Sequence, residues 1–210
     1  VCNALLPNPD SAVPRYCTHW QPRDTWWARI RNRIAWAGLN RLYASIVTCI
    51  QNHRRGLGLP VPTDISQVWS DTLQISQQPE LFEFPRRELP KQLAFVGPLR
   101  LPGGYQPVSF PWERLDGRPL IYASLGTLQN RIGGLFRVIA EACDGLDAQL
   151  VISTGHGVTP EELGNLPGYP IVVAYAPQLA LLRRSTLAIT HAGLNTVLDA
   201  MTTGTPLVAI

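Results

Sequence analysis

The sequence predicts an α/β protein built on parallel sheets, and three observations carry that prediction. Short apolar runs such as "LIYASLGT", "AQLVIST", "PIVVAYA", "TLAITH" and "PLVAI" are continuous rather than alternating, as in strands buried on both faces. Helical segments separate them, the arrangement of a sheet covered by helices. Several runs end in small, hydroxylated or polar residues, and parallel sheets bind their ligands beyond the carboxyl ends of the strands.

The elements follow in order. "VCNALL" reads as the end of a buried strand, and "PNPDSAVPRYCTHWQPRD" as a Pro-rich loop. Asp24 or Thr25 can cap a long helix running to about His53. Trp27, Ile30, Ile34, Leu42, Ile46 and Ile50 recur along it at helical spacing as one apolar stripe, with Arg29, Arg33 and Arg41 largely off that stripe. "TLQIS" and "LAFVG" are short strands around a Pro-rich stretch. Residues 99–119, with repeated Pro and Gly, read as an interdomain linker between a first domain, 1–98, and a second, 120–210. In the second, "GLFRVIAEACDGL" is helical with Leu135, Ile139 and Ala142 on one face. "TPEELGNL" is a short helix with Thr159 as its cap and Pro160 at its first position. "PQLALLRRS" is a helix, and "NTVLDAMTTG" another that ends at Gly204.

Composition narrows the function classes. The chain has 210 residues, 45% hydrophobic and 16% charged, so it is globular rather than disordered. No eighteen apolar residues run together, so no membrane-spanning helix is expected. Residues 1–100 hold twelve Lys and Arg against seven Asp and Glu; residues 101–210 hold six against eight. The basic half lacks the dense cationic runs of a nucleic-acid binder. Cys2, Cys17, Cys49 and Cys143 form no C-x-x-C pair, so they read as buried reduced thiols rather than a zinc or redox site. The chain starts at Val1 and stops inside an apolar run, which reads as an internal segment of a longer protein.

The stretch "ITHAGLNTVLDA" concentrates the chemistry. His191 lies at a strand end and can donate from a ring nitrogen. Gly193 allows close backbone approach. The following helix start offers free N–H groups and a positive dipole end, to which Asn195 and Thr196 add donors. Asp199, four residues after Asn195, is placed to accept two ribose hydroxyls. The other reading is a capped helix start with Asn195 as the cap. Two further strand ends point the same way. "SLGT" brings Ser124, Gly126 and Thr127; "YAPQ" brings Tyr175, able to stack on a base, and Gln178, able to bond a base edge or ribose. Tyr175 reads equally as a core aromatic, and Ser124 as a turn residue. No G-x-G-x-x-G or P-loop pattern is present.

"YAPQLALLRRSTLAITHAGLNTVLD" resembles the donor signature of the UDP-glycosyltransferase superfamily: aromatic-x-Pro-Gln, then His-x-Gly-x-Asn-Ser/Thr and an acid four after the Asn. "FVGPLR" and "ASLGTLQNRIGGLFRVIAEACDGLDAQLVI" extend the likeness, densest over 94–210, toward bacterial and cyanobacterial zeaxanthin (carotenoid) glucosyltransferases. The resemblance implies the GT-B architecture of two Rossmann-like domains, each partly covered here. It implies an inverting transfer from a UDP-sugar to an apolar hydroxylated acceptor, with no cofactor and no metal. Tyr175, with Ala176 beside it, would stack on uracil, and Gln178 would lie by base and ribose. Asp199 would hold the ribose, and Ser124, Gly126, Thr127, His191, Gly193, Asn195 and Thr196 the diphosphate. Tyr175 stands where Trp is common, Asp199 where Glu is common, and Leu194 where plant members have an aromatic. The family's catalytic His and its Asp partner would lie upstream of Val1, so no catalytic residue is named.

The acceptor would belong to the first domain. Trp20, Trp26 and Trp27 read either as lining an apolar acceptor pocket or as ordinary core. The arginines of helix 25–53 read either as a solvated face or as a contact with an anionic membrane surface. The expected location is the cytoplasm, with that peripheral contact left open. Two other functions compete: a non-catalytic or truncated nucleotide-sugar-binding protein, and a sugar-nucleotide epimerase of the same architecture.

Overall fold

A computed structural model of the chain describes residues 2–3, 9–15, 18–63, 70–87, 89–99, 108–126 and 133–210. Two compact units divide it, Val1–Leu99 and Arg100–Ile210.

The first unit holds a three-stranded parallel sheet, β1 (Cys2–Asn3), β2 (Gln74–Ser76) and β3 (Leu93–Phe95), in that order. Between β1 and β2 run two helices, α1 (Trp26–Leu42) and α2 (Ala44–Gly56). The predicted single helix to His53 is broken at Tyr43, whose N–H is drawn to the carbonyls of both Leu39 and Arg41. Thr25 is the N-cap, and its hydroxyl accepts from the Ala28 N–H.

The predicted apolar stripe faces solvent. Trp26, Trp27 and Ile34 are 60%, 65% and 68% exposed, and Ile30, Leu42 and Ile46 are exposed with them. The buried face of α1 is Ala28, Asn32, Trp36 and Leu39. A step of two residues turns a helix by about 200°, so Ala28, Asn32 and Trp36 lie nearly opposite Trp26, Ile30 and Ile34. Two polar bonds fix that choice: Asn32 Nδ2 donates to the Ser11 carbonyl at 3.0 Å and Trp36 Nε1 to the Val13 carbonyl at 3.2 Å. Cys49 is exposed and Cys143 half-buried, so the expected burial of the thiols fails for the first.

The second unit is a five-stranded parallel sheet of β4 (Leu120–Ser124), β5 (Gln149–Ser153), β6 (Ile171–Val173), β7 (Ser185–Thr190) and β8 (Leu207–Ala209). Its order is β6-β5-β4-β7-β8. The helices are α3 (Gly133–Cys143), α4 (Pro160–Leu163), α5 (Gln178–Leu182) and α6 (Leu194–Thr203). Side chains alternate across β4. Ile121, Ala123 and Leu125 enter a core with Phe136 and Ile139 of α3 and Leu163 of α4. Leu120 and Tyr122 enter the other, with Leu181 and Leu182 of α5 and Ala200 of α6. The buried face of α3 is Phe136, Ile139 and Ala140, one position round from the predicted one, and Ala142 is exposed. Thr159 caps α4 through a reciprocal bond with Glu162, with Pro160 at the first position, as the sequence predicts.

Part of the predicted linker is packed. Phe110 is buried in the second core, and Trp112, in a 3-10 turn (Trp112–Arg114), meets it edge-on at 4.8 Å. The Arg184 guanidinium lies 4.4 Å over the Trp112 ring. Proline frequency marks this stretch as irregular, but its aromatics bury enough apolar area to fold it onto the unit. No helix among the described residues is long and apolar enough to cross a membrane.

Candidate functional site

Counted within the second unit, the strand order is third, second, first, fourth, fifth. The winding reverses between β4 and β7. In an open parallel sheet that reversal sends the following connections to opposite faces and opens a crevice at the carboxyl ends. The register levels those ends: Ser124 of β4 pairs with Ser153 of β5 and Thr190 of β7.

His191 follows β7 into this crevice region, seated between two glycines. A Cβ at Gly126 would stand 2.5 Å from His191 Cε1, and one at Gly193 2.7 Å from Nε2. Gly126 also holds φ +73°, and Ala192 φ 58°, a left-handed conformation that costs a non-glycine residue about 1 kcal/mol or more. His191 Nδ1 and Thr190 Oγ1 are buried without a hydrogen-bond partner among the described residues. Unpaired buried polar atoms are rare and call for a reason.

Gly193, not Asn195, is the N-cap of α6, and no side chain caps that end. The first amide to bond back is Val197, onto the Gly193 carbonyl. The N–H groups of Leu194, Asn195 and Thr196 therefore stand at the open, positive end of a ten-residue helix. The reading of Asn195 as a mere cap falls with this.

One turn further in, Gln178 Nε2 donates to Asp199 Oδ2 at 2.7 Å, and the Thr196 hydroxyl donates to Gln178 Oε1 at 3.4 Å. α5 and α6 are thus joined by an amide that links a hydroxyl to a carboxylate. Asp199 is 3% exposed. Below it lies Tyr122, whose phenol is pushed above its ordinary range by burial; hydrogen bonds with Ser124 and Ser153 oppose that rise, and the Asp199 charge adds to it. Ser124 is buried, and its Oγ accepts from the Gly126 N–H at 3.4 Å, closing the turn after β4.

Tyr175 follows β6 and is 37% exposed, which sets aside the core reading. The His156 ring meets it edge-on, centroids 4.7 Å apart at 69°. Ala176 packs against the second core. His156 went unnoticed in the sequence, although "ISTGH" carries it just past β5, a strand end of the kind already used at the other three. Thr127 lies outside the described residues.

Of the tryptophans in the first unit, Trp20, Trp26 and Trp27 are exposed. Trp26 and Trp27 stack on each other at 3.8 Å, and the Arg31 guanidinium sits 4.5 Å over Trp20. The open cleft of about 400 Å³ in that unit is lined by other residues, among them Asp10, Arg33, Trp36 and Asn40. No group of three or more His, Cys, Asp or Glu among the described residues is gathered to hold a metal.

Residues 2–210 match the family model for UDP-glucoronosyl and UDP-glucosyl transferase. The chain belongs to this family. It is similar to the zeaxanthin glucosyltransferase of Pantoea ananas, 39% identical over 163 residues, or 77% of this chain and 38% of that one. It is 31% identical over 140 residues to the NDP-glycosyltransferase YjiC of Bacillus subtilis, covering 67% of this chain and 35% of that one. Among solved structures, the glycosyltransferase of kitacinnamycin superposes with a TM-score of 0.68 at 23% identity, over 85% of this chain and 48% of that one. The calicheamicin glycosyltransferase CalG4 gives 0.59 at 25% identity, over 80% and 41%. The parallel α/β fold is the one those glycosyltransferases share. The chain spans under half the length of the relatives it matches.

Proposed function

We propose that this chain carries the donor site of an inverting glycosyltransferase that moves a sugar, taken as glucose, from a UDP-sugar to a hydroxyl of an apolar acceptor such as a carotenoid. One observation carries the donor reading: at the reversal point of the sheet, His191 is wedged between Gly126 and Gly193 beside the uncapped end of α6. That is a cradle for phosphate oxygens. Family membership and the name of the Pantoea relative support the transferase and the acceptor class.

In this reading the donor lies along the carboxyl ends. Tyr175 offers a ring face to uracil. Gln178 and Asp199, already bonded, present an amide and a carboxylate to the base and ribose. Ser124, Asn195, Thr196 and His191 surround the diphosphate, a set to which the family resemblance adds Thr127. A general base takes the proton from the acceptor hydroxyl as its oxygen attacks the anomeric carbon. The bond to the diphosphate breaks on the opposite face, which inverts the configuration. Negative charge grows on the leaving UDP, and the His191 donor and the helix end stabilise it without metal. The acceptor and the base belong to the part of the enzyme that includes residues 1–98.

The test uses the full-length enzyme with UDP-glucose and zeaxanthin, wild type against His191→Ala. Transfer by the wild type that falls at least about tenfold in the variant, or ~1.4 kcal/mol of transition-state stabilisation, supports the reading. Hydrolysis without transfer keeps the donor site and rejects the acceptor. Conversion of UDP-glucose to an isomer would replace transfer by epimerisation. Failure to bind UDP-glucose overturns the site.

A further inference from the structure

The solvent face of α1 is apolar, and its margins are cationic. Trp26, Ile30 and Ile34 follow one another at four-residue spacing, with Trp27 beside them, all exposed. Arg33 lies exposed at one margin, Arg41 is exposed two turns beyond Ile34 on the line of the face itself, and Arg31 flanks the other margin with its guanidinium over Trp20 and bonded to Asn32 Oδ1 at 3.0 Å. Between Thr25 and Thr63 the sequence has no Asp or Glu but has Arg29, Arg31, Arg33, Arg41, Arg54 and Arg55. Arg29 is the one of these engaged by an acid, Asp24, just outside the helix. Soluble surfaces mix the two signs, whereas a helix with aromatic and aliphatic residues on one face, arginines beside and beyond them and no acids has the pattern of an interfacial helix. Indole rings favour the level of lipid headgroups, with the ring in the apolar layer and the N–H toward water.

We propose that α1 is a membrane-docking face, lying flat on an anionic lipid surface with Trp26, Trp27, Ile30 and Ile34 in the interface and Arg31, Arg33 and Arg41 on the headgroups. The inference stands on the first unit alone and does not need the acceptor assignment. Among the described residues the helix packs inward by its other side, where Asn32 and Trp36 are tied to Ser11 and Val13. Charge selects the partner: a stripe without acids repels cationic surfaces and gains little from neutral ones.

The experiment is vesicle flotation of the full-length enzyme. One set of vesicles is pure phosphatidylcholine; the other contains about one third phosphatidylglycerol, enough to set up a negative surface potential. The enzyme should float with the anionic vesicles, stay in solution with the neutral ones, and come off as salt is raised. Arg31→Gln/Arg33→Gln/Arg41→Gln should weaken anionic binding at least about tenfold. Ile30→Ser/Ile34→Ser should abolish it at all salt concentrations. Both variants should bind UDP like the wild type, which reports on the other unit, and keep its far-UV spectrum, which reports on folding. Equal partitioning of wild type and variants, or no flotation, overturns the proposal. So does loss of folding or of UDP binding in Ile30→Ser/Ile34→Ser, since that means protein, from this chain or a second copy, covers the face.

Discussion

At Gly126 two demands meet in one residue. Its φ of +73° lies where a side chain is strained, and the space a Cβ would need is held by the His191 ring. Gly126→Ala should therefore push His191 out of its seat. The expected outcome is a UDP affinity at least about tenfold weaker by titration calorimetry, with the far-UV spectrum unchanged. His156 gives a subtler case. It touches Tyr175 by a ring edge, a contact worth about 0.5–1.5 kcal/mol. His156→Ala should leave Tyr175 in place but less well oriented. KM for the UDP-sugar should rise about threefold to tenfold while kcat stays level, a split that steady-state kinetics resolves. Tyr122 sets a pH dependence. Burial holds its phenolic proton at pH values where the unfolded chain has released it. The folded state then binds more protons than the unfolded one, so stability falls as pH rises above the ordinary phenol value of 10.0. Denaturant midpoints taken on either side of that value should show the fall, and Tyr122→Phe should shrink it.

Elements in the second unit were legible because each of their signals was local. Thr159 with Pro160 and Glu162 fixes the start of α4, and Gly204, at φ 71°, the end of α6. Continuous apolar runs sufficed for β4 to β8; in β4 and β5, at the centre of the sheet, both faces are covered and no choice of face arises. The first unit poses the choice that periodicity does not settle. α1 carries two stripes, Trp26-Ile30-Ile34 and Ala28-Asn32-Trp36, and hydropathy favours the wrong one. The inward stripe wins through two hydrogen bonds to Ser11 and Val13, partners more than twenty residues away and invisible to any local window. The site was legible to the same degree. His191, Gly193, Gln178 and Asp199 stand out as strand-end and helix-start residues. The Gln178–Asp199 bond, the seating of His191 and the presence of His156 depend on strand order, which no short stretch encodes.

For the whole molecule, the division into Val1–Leu99 and Arg100–Ile210 is the leading fact. The boundary falls between Leu99 and Arg100, and Arg100 is a tryptic site at that boundary. Limited digestion of the native chain should cut first after Arg100, and mass spectrometry should find two persistent pieces. First cleavage inside 108–119, after Arg114, would contradict the packing of Phe110 and Trp112 onto the second unit. UDP should protect the later piece alone, because every residue proposed for the donor site lies in it.

The strand order also sets a timetable. Within the second unit, β4, β5 and β6 leave the ribosome before β7, and they can pair in the order they appear, each beside its predecessor. The crevice does not exist in that nascent trio. It is created when β7 returns past β4 and docks on its far edge, carrying His191 and α6 with it. Under the proposed function, a nucleotide would find its site only after that docking, and by binding there it would hold β7 and α6 on the sheet against reopening. The ligand of the finished protein would then act on the growing chain as a latch.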